Sequence, residues 1–545
     1  MKKFSLLFSL LVVLFVSCSD ETTTFTETRD DFSVKATTAN LESSVVYDNA
    51  GVLDISAEDG SASKYGMSGK DEEAGDYPLT LVAQIDPPSG DTSNLTASHV
   101  HVVDDYAYVS YNTVEDGYAG AIDIINIADP ASPRLTSRLF YSNADINALK
   151  YDGGFVYAAG GVDSEKAAST EVNSFLAKIP VNGGRFDIEA GISYGFQEGY
   201  VGTDVAIVNN SVIVTSGKDG LVVIYDKTSL EVSNEASFED IRSVAVNDNT
   251  YALLDAVYGV RILDQNLNVL RDISIDADFG TDTKKTLDFY GENVVVSEGP
   301  KGAGVYNYTS GAFVEYIPIL ISPDGVEEGD IVTNAVAFND NVLLMANGGA
   351  GLCLSEKTED NTDLVGIIAL DGSINYVETK GDYVFAASGK AGLQIIKLNK
   401  PSESLVEQCA SVQQYKGSSN LNVNQGEDKA YRGSKSFNSV NVDGNLLLCG
   451  TWTVKNEVNI NSDASFQMNG TFVVGRNNSR KNININNGAT FTVEGNLTIY
   501  GDLVLNDGST LEFLGEDSVV NIFGSVIKNG EVVVKGEFRD VRNTF

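Results

Sequence analysis

A short strand that ends in small residues recurs seven times along this chain, and no other property narrows the accessible folds as far. It reads Ala107-Tyr108-Val109-Ser110, Val156-Tyr157-Ala158-Ala159-Gly160, Ile213-Val214-Thr215-Ser216-Gly217, Ala252-Leu253-Leu254-Asp255, Val295-Val296-Ser297-Glu298-Gly299, Leu343-Leu344-Met345-Ala346 and Val384-Phe385-Ala386-Ala387-Ser388-Gly389. Aligned on Tyr108, Tyr157, Val214, Leu253, Val296, Leu344 and Phe385, successive units stand 49, 57, 39, 43, 48 and 41 residues apart. A four-stranded blade of a β-propeller takes about 40 to 50 residues, so the spacing predicts a ring of blades.

Each unit carries a strand before the recurring one, as at Ile146 to Lys150, Arg242 to Val246 and Tyr376 to Thr379. A third strand follows and usually opens on glycine, as in Gly220-Leu221-Val222-Val223-Ile224 and Gly392-Leu393-Gln394-Ile395-Ile396. Six units have a fourth strand, for example Leu135 to Phe140, Val269 to Ile275 and Leu364 to Leu370. The seventh has none, because the chain turns polar at Asn399-Lys400-Pro401, whereas an unassigned strand-like segment, Leu79 to Ile85, precedes the first unit. Placing that segment outermost in the seventh sheet closes the ring and pairs an edge that would otherwise be bare. The expectation is an all-β chain with a seven-bladed propeller over residues 76–400, closed by an N-terminal strand.

The third strands resemble those of the LVIVD-repeat family of bacterial surface propellers, most clearly in Gly220-Leu221-Val222-Val223-Ile224-Tyr225-Asp226 and in Ile124-Ile125-Asn126-Ile127-Ala128-Asp129-Pro130-Ala131-Ser132-Pro133. The resemblance spans about residues 77 to 400. It implies the fold and a surface location, and no defined reaction.

Beyond a polar connector at 401–435 the pattern changes. Over 436–545 short strands alternate apolar and polar residues, as in Thr471-Phe472-Val473-Val474, Asn496-Leu497-Thr498-Ile499 and Thr510-Leu511-Glu512-Phe513, with Asn-Gly, Glu-Gly and Asp-Gly turns between them. Turns every six to ten residues and one apolar face per strand suit the stacked rungs of a β-solenoid; a small β-sandwich is the alternative. Of the four cysteines, Cys409 and Cys449 form the sensible disulfide pair in an oxidising compartment, with Cys353 a buried free thiol in the sixth blade.

The amino terminus reads as an address. Lys2 and Lys3 precede an apolar run from Phe4 to Val16, the order of a secretory signal and too short to span a bilayer comfortably. The run ends Phe15-Val16-Ser17-Cys18 and resembles the lipobox of bacterial lipoproteins, although Phe15 stands where leucine is usual. That resemblance implies that residues 1–17 are removed and that Cys18 is acylated, anchoring the protein in a membrane. Ser19-Asp20-Glu21 is similar to the acidic signal that sends Bacteroidota lipoproteins to the outer face of the outer membrane. Residues 18–75, rich in Thr, Ser, Asp, Glu, Ala and Gly, read as a flexible acidic tether. Within it an island, Ser44-Val45-Val46-Tyr47 with Val52-Leu53-Asp54-Ile55, has the makings of an added strand or a contact with a neighbour.

Charge and chemistry bound the function. Among 545 residues, 76 Asp and Glu face 37 Lys and Arg, a formal charge of −39 that repels nucleic-acid phosphates. The two histidines, His99 and His101, project from one face of the first inner strand toward the channel, where they read as a packed pair in preference to a metal site. Asp276-Ala277-Asp278-Phe279-Gly280-Thr281-Asp282 alternates oxygen ligands like a calcium loop, but its glycine comes one position early and no acid closes it, so it reads as a solvated loop. The only tryptophan, Trp452, lies outside the ring, and no Gly-x-Ser-x-Gly elbow or phosphate-cradling loop is present, so no catalytic residue, metal or cofactor is assigned. The leading expectation is a non-enzymatic surface platform for a protein or glycan partner. The alternatives are an extracellular enzyme acting on glycan or peptide through carboxylates at the channel mouth, and an accessory subunit of an outer-membrane uptake or assembly complex.

Overall fold

The computed structural model describes residues 32–39, 41–53, 55–56, 79–89, 94–114, 116–280, 284–319, 325–339, 342–357, 362–398, 406–409, 412–514 and 518–545. Seven antiparallel sheets follow one another, each beginning with an inner strand: Leu95–Val103, Ala144–Asp152, Gly202–Val208, Ile241–Asn247, Leu287–Tyr290, Ile331–Asn339 and Tyr376–Lys380. The recurring second strands are buried between neighbouring blades along most of their length, which is why they are rich in Val, Leu, Ile, Ala and aromatic residues and end in small ones. Seams such as Tyr108, Ile124, Leu149, Phe175 and Ile179 between blades 1 and 2 make up the core.

Leu79–Ile85 is the outermost strand of blade 7, antiparallel to Leu393–Leu398 with Leu81 opposite Ile396. The ring is also tied on the inside. A side chain at or near the start of each inner strand donates toward the next blade: Asn375 to the Ala97 carbonyl, Ser98 to Ile146, Asn147 to Gly202, Thr203 to Ile241, Arg242 to Gly280 in the loop leading into blade 5, Lys285 to Asn334 Oδ1 and Asn334 to Ile374, all at 2.8–3.0 Å. These seven bonds cross all seven blade junctions, closing a polar belt around one end of the channel.

Part of the stretch expected to be a tether is instead paired. Val34–Thr37 adds to the outer strand of blade 1, Val45–Val46 and Gly51–Val52 both add to Leu79–Ile85, and Ile55–Ser56 adds to Thr362–Ile368 of blade 6. The arm therefore runs backward around the rim, from blade 1 to 7 to 6. The expected island does add strands. What sequence alone could not give is the receptor for them, the outer edges of blades 7 and 6.

The C-terminal module is a β-solenoid, and the sandwich alternative falls because its strands stack in parallel. Asp428–Phe437, Asn445–Val454, Ser465–Val474 and Thr490–Ile499 lie in unbroken register, as do Asn420–Val423, Ser439–Val442, Val458–Ile460, Ile483–Ile485 and Leu503–Leu505 on a second sheet. Its first strands, Gln413–Gln414 and Asn420–Val423, lie inside the segment expected to be a connector, so the module begins well before residue 436. Polar composition hid them: Asn422, Asn441, Asn459 and Asn484 form a side-chain ladder at 2.8–3.1 Å, which satisfies one another's amides from rung to rung. Gly433, Gly450, Gly470 and Gly495 stack at the bend of successive rungs with φ between +109° and +125°. A Cβ on Gly450 or Gly470 would stand 2.2 Å from the carbonyl of the rung before, so only glycine turns this corner. Cys409 and Cys449 are joined by a disulfide, with Cα atoms 5.7 Å apart.

The arm also joins the two modules. Tyr47 and Ala50 pack with Val473, Tyr500 and Phe523 of the solenoid, and the Arg542 guanidinium lies 3.6 Å above the Phe523 ring and 5.3 Å from that of Tyr47. Gly51 bridges to Arg476, where any side chain would collide with the arginine backbone.

Candidate functional site in the propeller channel

The inner strands aim alternate side chains at the ring axis, so the channel inherits one short list of residues from each blade. At the belt end Lys284 crosses the axis from blade 5 and donates to the Asn147 carbonyl of blade 2 at 2.7 Å. Its ammonium lies 5.2 Å from the centre of the Tyr376 ring, and His99 stacks on the same ring at 3.9 Å. Together these three plug that end. Enclosure pushes the Lys284 amine down to about 8. His99 is fully buried with neither ring nitrogen hydrogen-bonded, and burial, helped by Lys284 and Lys150, drives its pKa well below the usual histidine value. His99 is therefore a neutral packing residue.

The opposite end opens into a cavity of about 410 Å³ whose lining includes His101, Lys150, Asp204, Ser243, Asp288 and Tyr376. His101 Nδ1 is 3.2 Å from Glu378 Oε1. Burial and Lys150 lower the histidine, whereas Lys150 and the histidine hydrogen bond hold Glu378 below the usual carboxylate range against the opposing effect of its own enclosure. The pair is thus a neutral imidazole donating to a carboxylate, and Glu378 Oε2 has no donor. Asp204 is already satisfied by Ser243 Oγ at 2.6 Å and by the Val244 amide at 3.1 Å. Asp288 faces the solvent of the channel and accepts the Phe289 amide at 2.8 Å, and the ring walls around it raise its carboxyl to about 6.

A second, smaller cavity of about 150 Å³ adjoins the first at Tyr151, on the inner strand of blade 2. Its walls include Asp104, Asp105, Tyr106, Tyr108 and Gly184, from the first hairpin of blade 1 and a hairpin of blade 2. Tyr108 and Tyr151 stack at 4.7 Å. Because successive strands of a blade alternate in direction, the 127–133 loop lies at this same end, and there Arg539 of the solenoid comes within 4.0 Å of Asp129. One face of the ring thus carries the channel mouth and the tyrosine pocket, with the end of the solenoid alongside.

The residues singled out in the sequence divide accordingly. His101 lines the mouth and His99 the plug, with no common metal geometry. Asp276 and Asp278 lie in an exposed loop between blades 4 and 5, where Asp278 Oδ1 accepts the Gly280 amide at 2.9 Å; Asp282 lies outside the described residues. Among the described residues no three His, Cys, Asp or Glu side chains converge as metal ligands. Cys353 is a buried free thiol whose pKa burial pushes up to about 12, and Trp452 is a solenoid core residue stacked on Phe437. Cys18, Ser19, Asp20 and Glu21 lie outside the described residues. Lys150, Asp288 and Glu378 were missed in the sequence, because the inner strands also carry Asp145, Asp152, Arg242 and Lys380 and nothing local marks which charged residues face the channel.

Fold and site define a seven-bladed β-propeller followed by a β-solenoid. No protein-family profile matches the chain, and no curated protein does. Among solved structures the chain is similar to the WD40 propeller domain of Doa1, with 12% identity and a TM-score of 0.42 over 58% of this chain and 97% of that one. It is likewise similar to the WD40 repeats of RRP9, with 12% identity and a TM-score of 0.44 over 59% of this chain and 97% of that one. The likeness is one of fold alone.

Proposed function

We propose that this protein is an exported lipoprotein of the LVIVD-repeat kind, anchored through Cys18 on the outer face of a Bacteroidota outer membrane, where its propeller serves as a binding platform for a protein or glycan. The observation that carries the reading is the double closure of the ring, by Leu79–Ile85 on the outside and the seven-bond belt on the inside. A ring fixed in this way holds loops from all blades as one preorganised surface, which suits recognition. The first described residue, Phe32, stacks on Tyr194 at 4.1 Å at the seam of blades 1 and 2. It stands fourteen positions after Cys18, a reach of at most about 50 Å, so the ring is held close to the membrane.

Palmitate labelling of intact cells tests the anchor. Wild-type protein takes up label and is digested by external protease, whereas Cys18→Ala does neither; equal labelling of both overturns the anchor. Affinity capture from gently solubilised membranes tests the platform, and a protein recovered alone, with no saccharide bound, counts against it. The channel-mouth carboxylates Asp204 and Asp288 favour a second reading, hydrolysis of an extracellular glycan, which new reducing ends after incubation with polysaccharide would reveal.

A further inference from the structure

We infer that the channel mouth and the adjoining tyrosine pocket form one cradle for an uncharged oligosaccharide, with one sugar ring against Tyr106 and Tyr151 and the chain end in the channel beside Lys150 and Asp288. The inference rests on the platform reading and gives it a ligand and a place. The two cavities meet at Tyr151, which lines both, so a single chain reaches from one to the other. The larger one is lined by groups that donate and accept in several directions, with Lys150, Asp288, Ser243 and Thr286 around a volume of about 410 Å³. Hydroxyl-rich ligands match such a mixture, because each hydroxyl both donates and accepts. One of these groups has bonding capacity left over: the Lys150 ammonium makes no hydrogen bond to a described residue, although it lies within electrostatic reach of Glu378 and Asp288.

The smaller cavity adds the apolar element that sugar rings require. Beside Asp104 and Asp105 its walls hold the Tyr106, Tyr108 and Tyr151 rings and Gly184, where a Cβ would stand 2.4 Å from the Tyr106 ring, so a side chain there would press on that ring. Asp104, at the turn of the hairpin with φ +48°, borders it with an exposed carboxylate. Charge selects among saccharides: acids outnumber bases at the mouth, and the whole chain carries −39, so polyanionic glycans are repelled.

Calorimetric titration of the purified ectodomain with cellopentaose, mannopentaose, xylopentaose, maltopentaose and chitopentaose, with oligogalacturonate as the acidic control, tests the inference. At least one neutral pentaose binds and the acidic control does not. Tyr106→Ala and Lys150→Met each weaken that binding by about tenfold or more with unchanged melting temperature; should Tyr106→Ala fail to fold, Asp104→Ala probes the same pocket. Binding of none of the five, or binding unaltered in both variants, overturns the cradle. A protein partner recovered from native membranes alongside a negative titration would leave the platform standing and remove only the saccharide.

Discussion

The Tyr500 hydroxyl donates to the Leu81 carbonyl at 3.2 Å, so a residue of the solenoid grips the strand that closes the propeller. The two are 419 residues apart in the chain. The ring closure and the joint between the modules are therefore one structure, and each supports the other.

Loosening that joint should register in the melting of both modules. Tyr500→Phe removes the bond to Leu81 and is expected to cost about 1 kcal/mol, and Arg542→Ala, which removes the stacking on Phe523 and Tyr47, about 1–2 kcal/mol. In calorimetry the double variant should split the parent's transition into two. A double variant that melts as the parent does would mean that the joint carries no coupling.

The solenoid's glycine column offers a sharper local test. Gly470→Ala forces a side chain to φ +109° and places its Cβ against the Gly450 carbonyl, so a loss of about 2–3 kcal/mol is expected. The same substitution at Gly426, also at positive φ but with open space around it, should cost less. Chemical denaturation of the two variants separates collision from backbone strain; equal losses would assign the whole effect to strain.

Opening the disulfide should weaken the first rungs. Cys409 and Cys449 close a separation of 40 residues, which the chain-entropy model values at about 4 kcal/mol. Replacing both by serine is expected to lower the solenoid's stability by that order and to leave the propeller's transition in place. A melt insensitive to the replacement and to reductant would show that the rungs hold without the link.

Asp288 predicts a pH dependence. Its carboxyl is raised from 3.8 to about 6 by enclosure, so between these values the folded chain keeps a proton that the unfolded chain has released. The group's contribution therefore falls as pH rises through that window, and its cost is complete above about 6. Asp288→Asn should melt above the parent at pH 7.5, with the gap closing as the pH falls toward 4. A gap that is the same at both ends of that range would remove the carboxyl as its cause.

What the sequence made legible depended on periodicity. The seven recurring strands and the solenoid rungs repeat an apolar pattern, and the ring's missing strand showed itself by counting, with Leu79–Ile85 left over. The arm was harder because its strands are two to four residues long and pair with edges supplied by residues hundreds of positions away, as Ile55–Ser56 does with Ile367 and Ile368. The first rungs were lost among Asn, Ser and Gly, since their stability comes from amide ladders and not from alternation alone. In the channel, alternation placed His101 correctly, yet the bond from Lys284 to Asn147 spans 137 residues, and nothing local foretells it.

The reversed path of the arm has a practical consequence for anyone making shortened versions of this protein. A version that starts at the first repeat, near Leu79, would uncover strand edges on blades 1, 6 and 7 at once, together with the apolar seam beneath Tyr47 and Ala50. Bare edges of that kind recruit strands from other molecules, so such a fragment would be prone to clump during expression, whereas one that begins before Phe32 carries its own cover.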